Sequence, residues 1–600
     1  MNQFVKSILA VGITSALSIS LISNVNAATY EIVDLGEASK VKYTYAQQKN
    51  SAGNMALSGT EVYNFPVQFD YFDDDDFDAI EIYVYSKYLS VNSLDYIEDS
   101  DALRAGNPTV NDLAWVVRWL KDTSSGKGSD KEYQKVGDTL AMTNINGVTT
   151  DFSLWDLKFD DTDIFTRSTT DILSGITDSG LLYGTATAPY LPSEVHTDSD
   201  GVEHTYWLRE HGFRGFFSYD IGAEIFEIVP FETEYTGGVS AVLDVNESGI
   251  AVGYSSYKVA QAFDDSVNDT SVGCADTDVV PGAMTLEACI AELQFKSSAV
   301  FHNMAFKATL NSNGTSAVEQ LGLLVTPHED DERTYSSYAL AVNNHGVAVG
   351  YADGFIDETV TTPAVDESRA YYYAVVYKND EVIDLTGEHD YKGNSRAYDI
   401  NDAGIAVGHV AKAIDGIAIE KFFYVDTNVS KDEINMIYPD DYFSSSDSTA
   451  RAINNNGLIV GEGEVETHNE STYNPRRTAA FIYDMHDDIF TNLNELIPCN
   501  MRQTYDIIEA RDINDADMIS ATAIVKANRR DSKGELMLDE TGEPLTEDVV
   551  RAISLNPIED NGEVCSAEEV GTVERQGASM GFGSAWLLMV IWGLRRKLFN

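Results

Sequence analysis

Positive charge is scarce: 40 Lys and Arg stand against 97 Asp and Glu in 600 residues, a formal net charge of −57. Phosphate backbones and anionic lipid surfaces would be repelled on nearly every approach, which argues against nucleic acid as a partner. Cysteine is scarcer still, four in all with no CxxC pair, so the four are read as disulfide candidates before metal ligands. Long apolar runs are missing. The run after Lys6 is short and Ser-rich, and the one at 582–594 spans about 13 residues against the roughly 20 that cross a bilayer. Familiar catalytic signatures also fail. His328-Glu329 lacks the second histidine of HExxH, and no GxxxxGK[ST] loop occurs. The segment 577–581 formally matches a hydrolase nucleophile elbow, but no histidine follows Ser579.

What is present is a large apolar inventory, 43% of residues with 32 Tyr and 25 Phe, enough to bury a sizeable core. At this length the chain needs either several domains or one unit stacked many times, so repeats are sought first. Residues 1–27 read as a signal peptide, with Lys6, a short apolar stretch and Val25-Asn26-Ala27 before Ala28. Export implies an oxidising compartment. Of the three pairings four cysteines allow, Cys274 with Cys289 closes a loop of about 15 residues, worth roughly 3 kcal/mol in the chain-entropy model, and Cys499 with Cys565 ties the tail to the body.

One turn recurs. "GITDSGLLYGTA" (175–186), "DVNESGIAVGYS" (244–255), "AVNNHGVAVGYA" (341–352), "DINDAGIAVGHV" (399–410) and "AINNNGLIVGEG" (452–463) share Asn or Thr, then Gly three residues on, then Gly four further. Weaker copies stand at 48–59 and 512–523. Each reads as a hairpin: apolar residues alternate into the turn, Asn or Asp hydrogen-bonds the backbone there, and the first Gly supplies positive φ. Asp517 takes the place of that Gly in the last copy. The second Gly is expected to end the return strand, where backbones crowd.

A short aromatic or β-branched strand follows each turn: "DFSLWD" (151–156), "GFFSYD" (215–220), "AFKATL" (305–310), "YYYAVVY" (371–377), "KFFYVD" (421–426), "AAFIYD" (479–484) and "AISLNP" (552–557). A third element, such as "VIDL" (382–385), "INMI" (434–437) or "FTNL" (490–493), comes soon after. The chain opens with a strand of this third kind, "YEIVDLG" (30–36), and its last repeat-like element is one of the second kind. Joining the two completes a unit, as the latch of a closed ring does. The expected fold is therefore all-β: a seven-bladed β-propeller over 28–557 with helical insertions at about 73–150 and 256–300. Within these, 111–122 forms a helix capped by Asn111, and 285–295 a helix gathering Leu286, Cys289, Ile290 and Leu293 on one face. A polar spacer at 558–576 leads to the final segment.

These motifs carry a resemblance. The alternation of "AF-Y-D", "DLG" and "A-IN--G-AVG" resembles the HAF repeat of bacterial proteins labelled probable extracellular, and the chain resembles an uncharacterised exported family built on it. The match covers most of residues 28 to 557, departing at Thr177, Asp517 and the late Gly59. That family lends no activity to transfer. The segment 577–600, with small residues, a greasy core and Arg595, Arg596 and Lys597, resembles a GlyGly-CTERM-type sorting tail. The resemblance implies an exported, surface-attached chain that meets the membrane through this segment alone.

Acidic stretches offer calcium candidates, Asp73 and Asp75 in "FDDDDFD" and Asp198 and Asp200 in "HTDSDGVEH", though neither is a complete EF-hand loop. The alternative for the second is a hairpin turn at Asp200-Gly201, and for the first a solvated edge. No other cofactor and no catalytic residue is assigned. The expected function is a binding or structural module for a protein or glycan partner. The rival is an extracellular polysaccharide lyase or hydrolase with its site at the channel mouth. Channel carboxylates clustered with His or Tyr would favour the enzyme, and a shallow apolar face around 73–150 would favour the binder.

Overall fold

The computed structural model describes residues 29–558 except 92, 125–129, 160–161, 220–223, 298, 315–316, 328–330, 332, 356–369, 387–393, 415 and 469–474. The segments expected to be a signal peptide and a sorting tail, Cys565, the nucleophile-elbow match and the His328-Glu329 pair thus lie outside the described residues. Seven antiparallel sheets follow one another around an axis, each packed on the next and the seventh on the first. This is a seven-bladed β-propeller, as the repeat count predicts. The innermost strands are Val41–Lys49, Asp171–Ile176, Ser240–Val245, Ser337–Val342, Ser395–Ile400, Ser448–Ile453 and Tyr505–Ile513, which open blades 1 to 7 in chain order.

Closure is as expected. Thr29–Asp34 pairs with Thr546–Ile558 from Thr29 opposite Ile558 to Asp34 opposite Ile553, and so becomes the outer strand of blade 7. Tyr30 is buried in one cluster with Leu493, Ile507 and Ile553, and its N–H donates to Leu496 O at 2.8 Å. The strand therefore joins blade 7 to the loop that leaves blade 6. Between blades, large apolar side chains interlock. Phe422 of blade 5 and Phe481 of blade 6 are fully buried with ring centroids 4.9 Å apart, a burial worth about 1.5–3 kcal/mol per side chain.

Each repeat turn joins the first and second strands of a blade. Gly404 has φ +77° and Asp517 has φ +57°, so the left-handed position is real and Asp occupies it in the last copy. The second Gly is not at a strand end. Gly408 stands inside Ile405–Ile414, opposite Ala397, where the inner strand bulges between Ala397 and Asp399. The bulge drives the Arg396 carbonyl over the Gly, so a Cβ at 408 would lie 1.8 Å from that oxygen. Crowding was legible in the spacing, but the bulge that causes it was not.

The repeated Asn has two tasks. Its oxygen closes its own turn: Asn343 Oδ1 accepts His345 N at 3.1 Å and Val347 N at 3.0 Å. Its amide donates to the backbone carbonyl of the equivalent residue in the next blade: Asn246 to Asn343 at 2.9 Å, Asn343 to Asn401 at 3.1 Å, Asn401 to Asn454 at 3.2 Å, Asn454 to Asn514 at 3.0 Å, and Asn514 to Asn50 at 3.2 Å. Asn50 continues to Thr177 O at 3.1 Å. A necklace of side-chain amides thus circles the axis. It is interrupted at Thr177, whose hydroxyl instead accepts Leu181 N within its own turn.

Two readings of the sequence are corrected. "DFSLWD" is not the third strand of blade 1. That place belongs to Thr139–Ile145, which returns after the insertion, while Val148–Phe152 is the fourth strand. "INMI" adds only a single bridge between Tyr424 and Ile437, leaving blade 5 a three-stranded sheet, and Pro439 two residues on has no N–H to extend the ladder.

Helical insertions are present, but the first ends before the expected 150, because Thr139–Ile145 and Val148–Phe152 are strands of blade 1. Helices α1 (Asp74–Lys87), α2 (Ser100–Arg104) and α3 (Val110–Ser124) lie between the second and third strands of blade 1, and α4 (Gln261–Asn268) and α5 (Leu286–Lys296) between those of blade 3. Phe77, Ile80, Val84, Trp115, Val116 and Trp119 give the first insertion a core of its own. Asn111 does not cap α3. Thr109 Oγ1 accepts Asp112 N at 3.1 Å, while Asn111 sits inside the helix and holds the loop at Asp95 and Tyr96. In α5 Cys289 is buried, but Leu286 at the first position points out.

Candidate functional site

The bulge residues of the inner strands line the central channel. Ser174, Leu243, Leu340, Tyr398, Arg451 and Arg511 bound a cavity of about 330 Å³. Its wall is uneven: apolar or small on blades 2 to 4, aromatic and basic on blades 5 to 7. The Arg451 guanidinium sits 4.9 Å from the centre of the Tyr398 ring and forks onto Glu462 Oε1, from Nε at 2.9 Å and Nη2 at 2.6 Å. Arg511 Nη1 stands 3.9 Å from Glu509 Oε1, beyond hydrogen-bond reach.

Two residues before the repeated Asn, blades 3, 5 and 7 carry Asp244, Asp399 and Asp512, and blade 1 carries Gln48. Each reaches the backbone of the following blade. Asp244 Oδ2 accepts Val342 N at 2.8 Å, Asp399 Oδ2 accepts Ile453 N at 2.8 Å, Asp512 Oδ2 accepts Lys49 N at 2.9 Å, and Gln48 Oε1 accepts Ile176 N at 3.1 Å. Three of the four receiving blades have Gly175, Ala341 and Ala452 at the same position, which leaves room, while blade 1 has Gln48 there. Tyr183 of blade 2 donates to Gln48 Oε1 at 2.7 Å and lies 3.0 Å from Asp244 Oδ1, tying blades 1 and 3 to blade 2 beside the interrupted link at Thr177.

Burial pushes Asp399 up to about 8 and Asp512 up to about 6, against the amides that pull them down, and Asp244 is raised by burial as well. Chemically, these groups are acceptors already in use. Asp399 also takes Ile400 N on Oδ1, at 2.7 Å, and Asp244 takes Val245 N on Oδ1, at 2.8 Å. A glycosidase needs two carboxylates free to meet substrate and water across one bond. Here the carboxylates staple the ring.

The family model described as "Protein of unknown function (DUF3466)" matches residues 3–597. The chain belongs to this family. No curated protein matches this DUF3466 member. Among solved structures it is similar to the α-L-arabinofuranosidase PaAbf62A from Podospora anserina, determined in complex with cellotriose. The identity is 9% and the TM-score 0.20, over 53% of this chain and 90% of that one. A likeness that slight carries nothing about chemistry.

The acidic stretches named from the sequence are engaged in local structure in this DUF3466 chain. Asp73 caps α1, accepting Asp75 N at 2.9 Å and Asp76 N at 3.0 Å, while Asp76 returns the bond to Asp73 N. Asp75 stays exposed. Asp198 Oδ1 accepts Asp200 N at 2.9 Å and Val202 N at 2.8 Å, closing a hairpin in which Gly201 has φ +83°. The structure does not bring the two stretches together. Among the described residues no group of three or more His, Cys, Asp or Glu stands close enough to hold a metal.

Cys274 and Cys289 are disulfide-bonded, with Cα atoms 5.8 Å apart, and fasten α5 to the loop after α4. Cys499 is also disulfide-bonded; its expected partner Cys565 lies outside the described residues.

The channel residues were missed by sequence reasoning, although a signal existed: Asp stands two places before Asn in the third, fifth and seventh copies, with Ala in the copies between. Their raised values set a pH dependence. A carboxyl that holds its proton more tightly when folded stabilises the fold fully below its unfolded value, and that contribution is lost as pH rises through the folded value. Melting temperature is therefore expected to fall from about pH 4 to about pH 8, and the Asp399→Asn chain to show a shallower slope between pH 6 and 8. A profile unchanged by Asp399→Asn would refute the assignment.

Proposed function

We propose that this chain is an exported, surface-attached propeller that serves as a binding module for a protein partner, gripped by the insertion in blade 1. One observation carries this reading. Helix α1 buries Phe77, Ile80 and Val84 on one side, yet Ile82 and Tyr85 are each 70% exposed, and Leu89, just past its end, is 81% exposed. A helix in a finished surface places polar residues there. A contiguous apolar ridge of this kind marks an interaction site. The neighbouring Asp74 and Asp78 are already paired with Arg104, at 3.3 and 2.6 Å, so the ridge suits a partner with an apolar groove. Export and attachment rest on the leader and the tail read in the sequence.

The enzyme reading draws on the clustering of Asp244, Asp399, Tyr183 and Tyr398 in one channel. It is weakened because the carboxylates already accept from backbone amides. The test is capture from the cell envelope with the purified chain and its Ile82→Asp and Leu89→Asp variants, with circular dichroism to verify the fold. A specific partner is expected to be retained by the native chain and weakened about tenfold or more by either variant. Equal capture by all three chains would rule out the ridge as the contact.

A further inference from the structure

The channel has a composition that neither the ring nor the ridge explains. On the side of the repeat turns its mouth is lined by Glu247, Asp402 and Asp515, with no Lys or Arg among the lining residues. Anions entering there are repelled. Deeper, Arg451 and Arg511 face the cavity together with Asp244, Asp399 and Asp512, so that groups of both signs stand around it. A ligand suited to both layers carries no net charge and offers many hydrogen bonds.

The wall on blades 5 to 7 fits that description. Arg451 is fixed between the Tyr398 ring and the Glu462 carboxylate, so its orientation costs little further entropy on binding. Arg511 has a side chain 40% exposed and only a loose pairing with Glu509, which leaves guanidinium donors for a ligand. Asp399 lines the same space with both oxygens held by backbone amides, which fixes its place in the wall. At about 330 Å³ the cavity lies within the range of roughly 300–1,000 Å³ that holds small ligands. On the opposite wall, Leu243 and Leu340 supply an apolar surface for the C–H face of a ring.

We infer that the central channel binds a neutral sugar, one or two rings deep, through Tyr398, Arg451 and Arg511. The site is separate from the α1 ridge. It requires no chemistry on the sugar, because the nearby carboxylates remain engaged with the backbone.

The experiment uses the purified native chain on a glycan array carrying neutral hexose and N-acetylhexosamine oligomers and oligouronates, with titration of any hit by saturation-transfer NMR. A neutral oligosaccharide is expected to bind, with affinity reduced about tenfold or more by Arg511→Gln, a partly exposed position, and reduced also by Tyr398→Phe. Ile82→Asp is expected to leave it unchanged, and no reducing ends are expected to appear. Failure of the native chain to bind any neutral glycan overturns the inference, as does binding to oligouronates alone or an Arg511→Gln affinity within about twofold of native. Release of reducing ends would make the channel an active site and overturn it as well.

Discussion

Gly408→Ala is expected to destabilise the protein by at least about 4 kcal/mol and to leave little soluble material at the growth temperature. The added Cβ would meet the Arg396 carbonyl at 1.8 Å, and the Ala397 Cα at 3.0 Å prevents the strand from backing away. Backbone, not a flexible side-chain tip, must move, and it moves only by flattening the bulge that sends Tyr398 and Asp399 to the channel. Gly404→Ala makes the contrast. There the penalty is the left-handed conformation, about 1–2 kcal/mol, and the close neighbour is the Asn428 side chain, which can turn aside. Thermal melts of the two variants should rank 408 well below 404. The opposite order would mean that the turn, and not the bulge, governs the repeat.

The second large effect is expected at the latch. A chain lacking residues 29–36 exposes one edge of Thr546–Ile558 and removes Tyr30 from its cluster. Losing a buried aromatic side chain alone costs about 3–5 kcal/mol, and an open strand edge recruits other chains. Size-exclusion chromatography should show species larger than those of the native chain, and a peptide of residues 29–36 added in trans should restore the native elution. Native-like melting and elution without those residues would show that the ring needs no closing strand.

Much of this architecture could be read from the repeat. The spacing of Asn and Gly gave seven turns, and the orphan strand "YEIVDLG" gave the closure, because both are properties of consecutive residues. Reading failed where partners are far apart in the chain. That Asn246 closes its own turn is local, but its amide reaches Asn343, almost a hundred residues on. Likewise Asp399 looks like a turn residue until Ile453 N is found against it. In blade 1 the long insertion separates the second and third strands, so the strand signal in the sequence falls on the next apolar run, at 151–156. At α3, Thr109 and Asn111 are both able caps, and local sequence alone did not rank them. The channel arginines gave no periodic signal, since only blades 6 and 7 carry them at that position.

Thr29 and Ile558 sit side by side as partners at the rim of blade 7. Whatever precedes one and follows the other departs from a single point on the circumference. A tether fixed downstream of Ile558 would then hold the disc by its edge, as a pennant hangs from a mast, with both flat faces and the hole through them open to the surrounding medium.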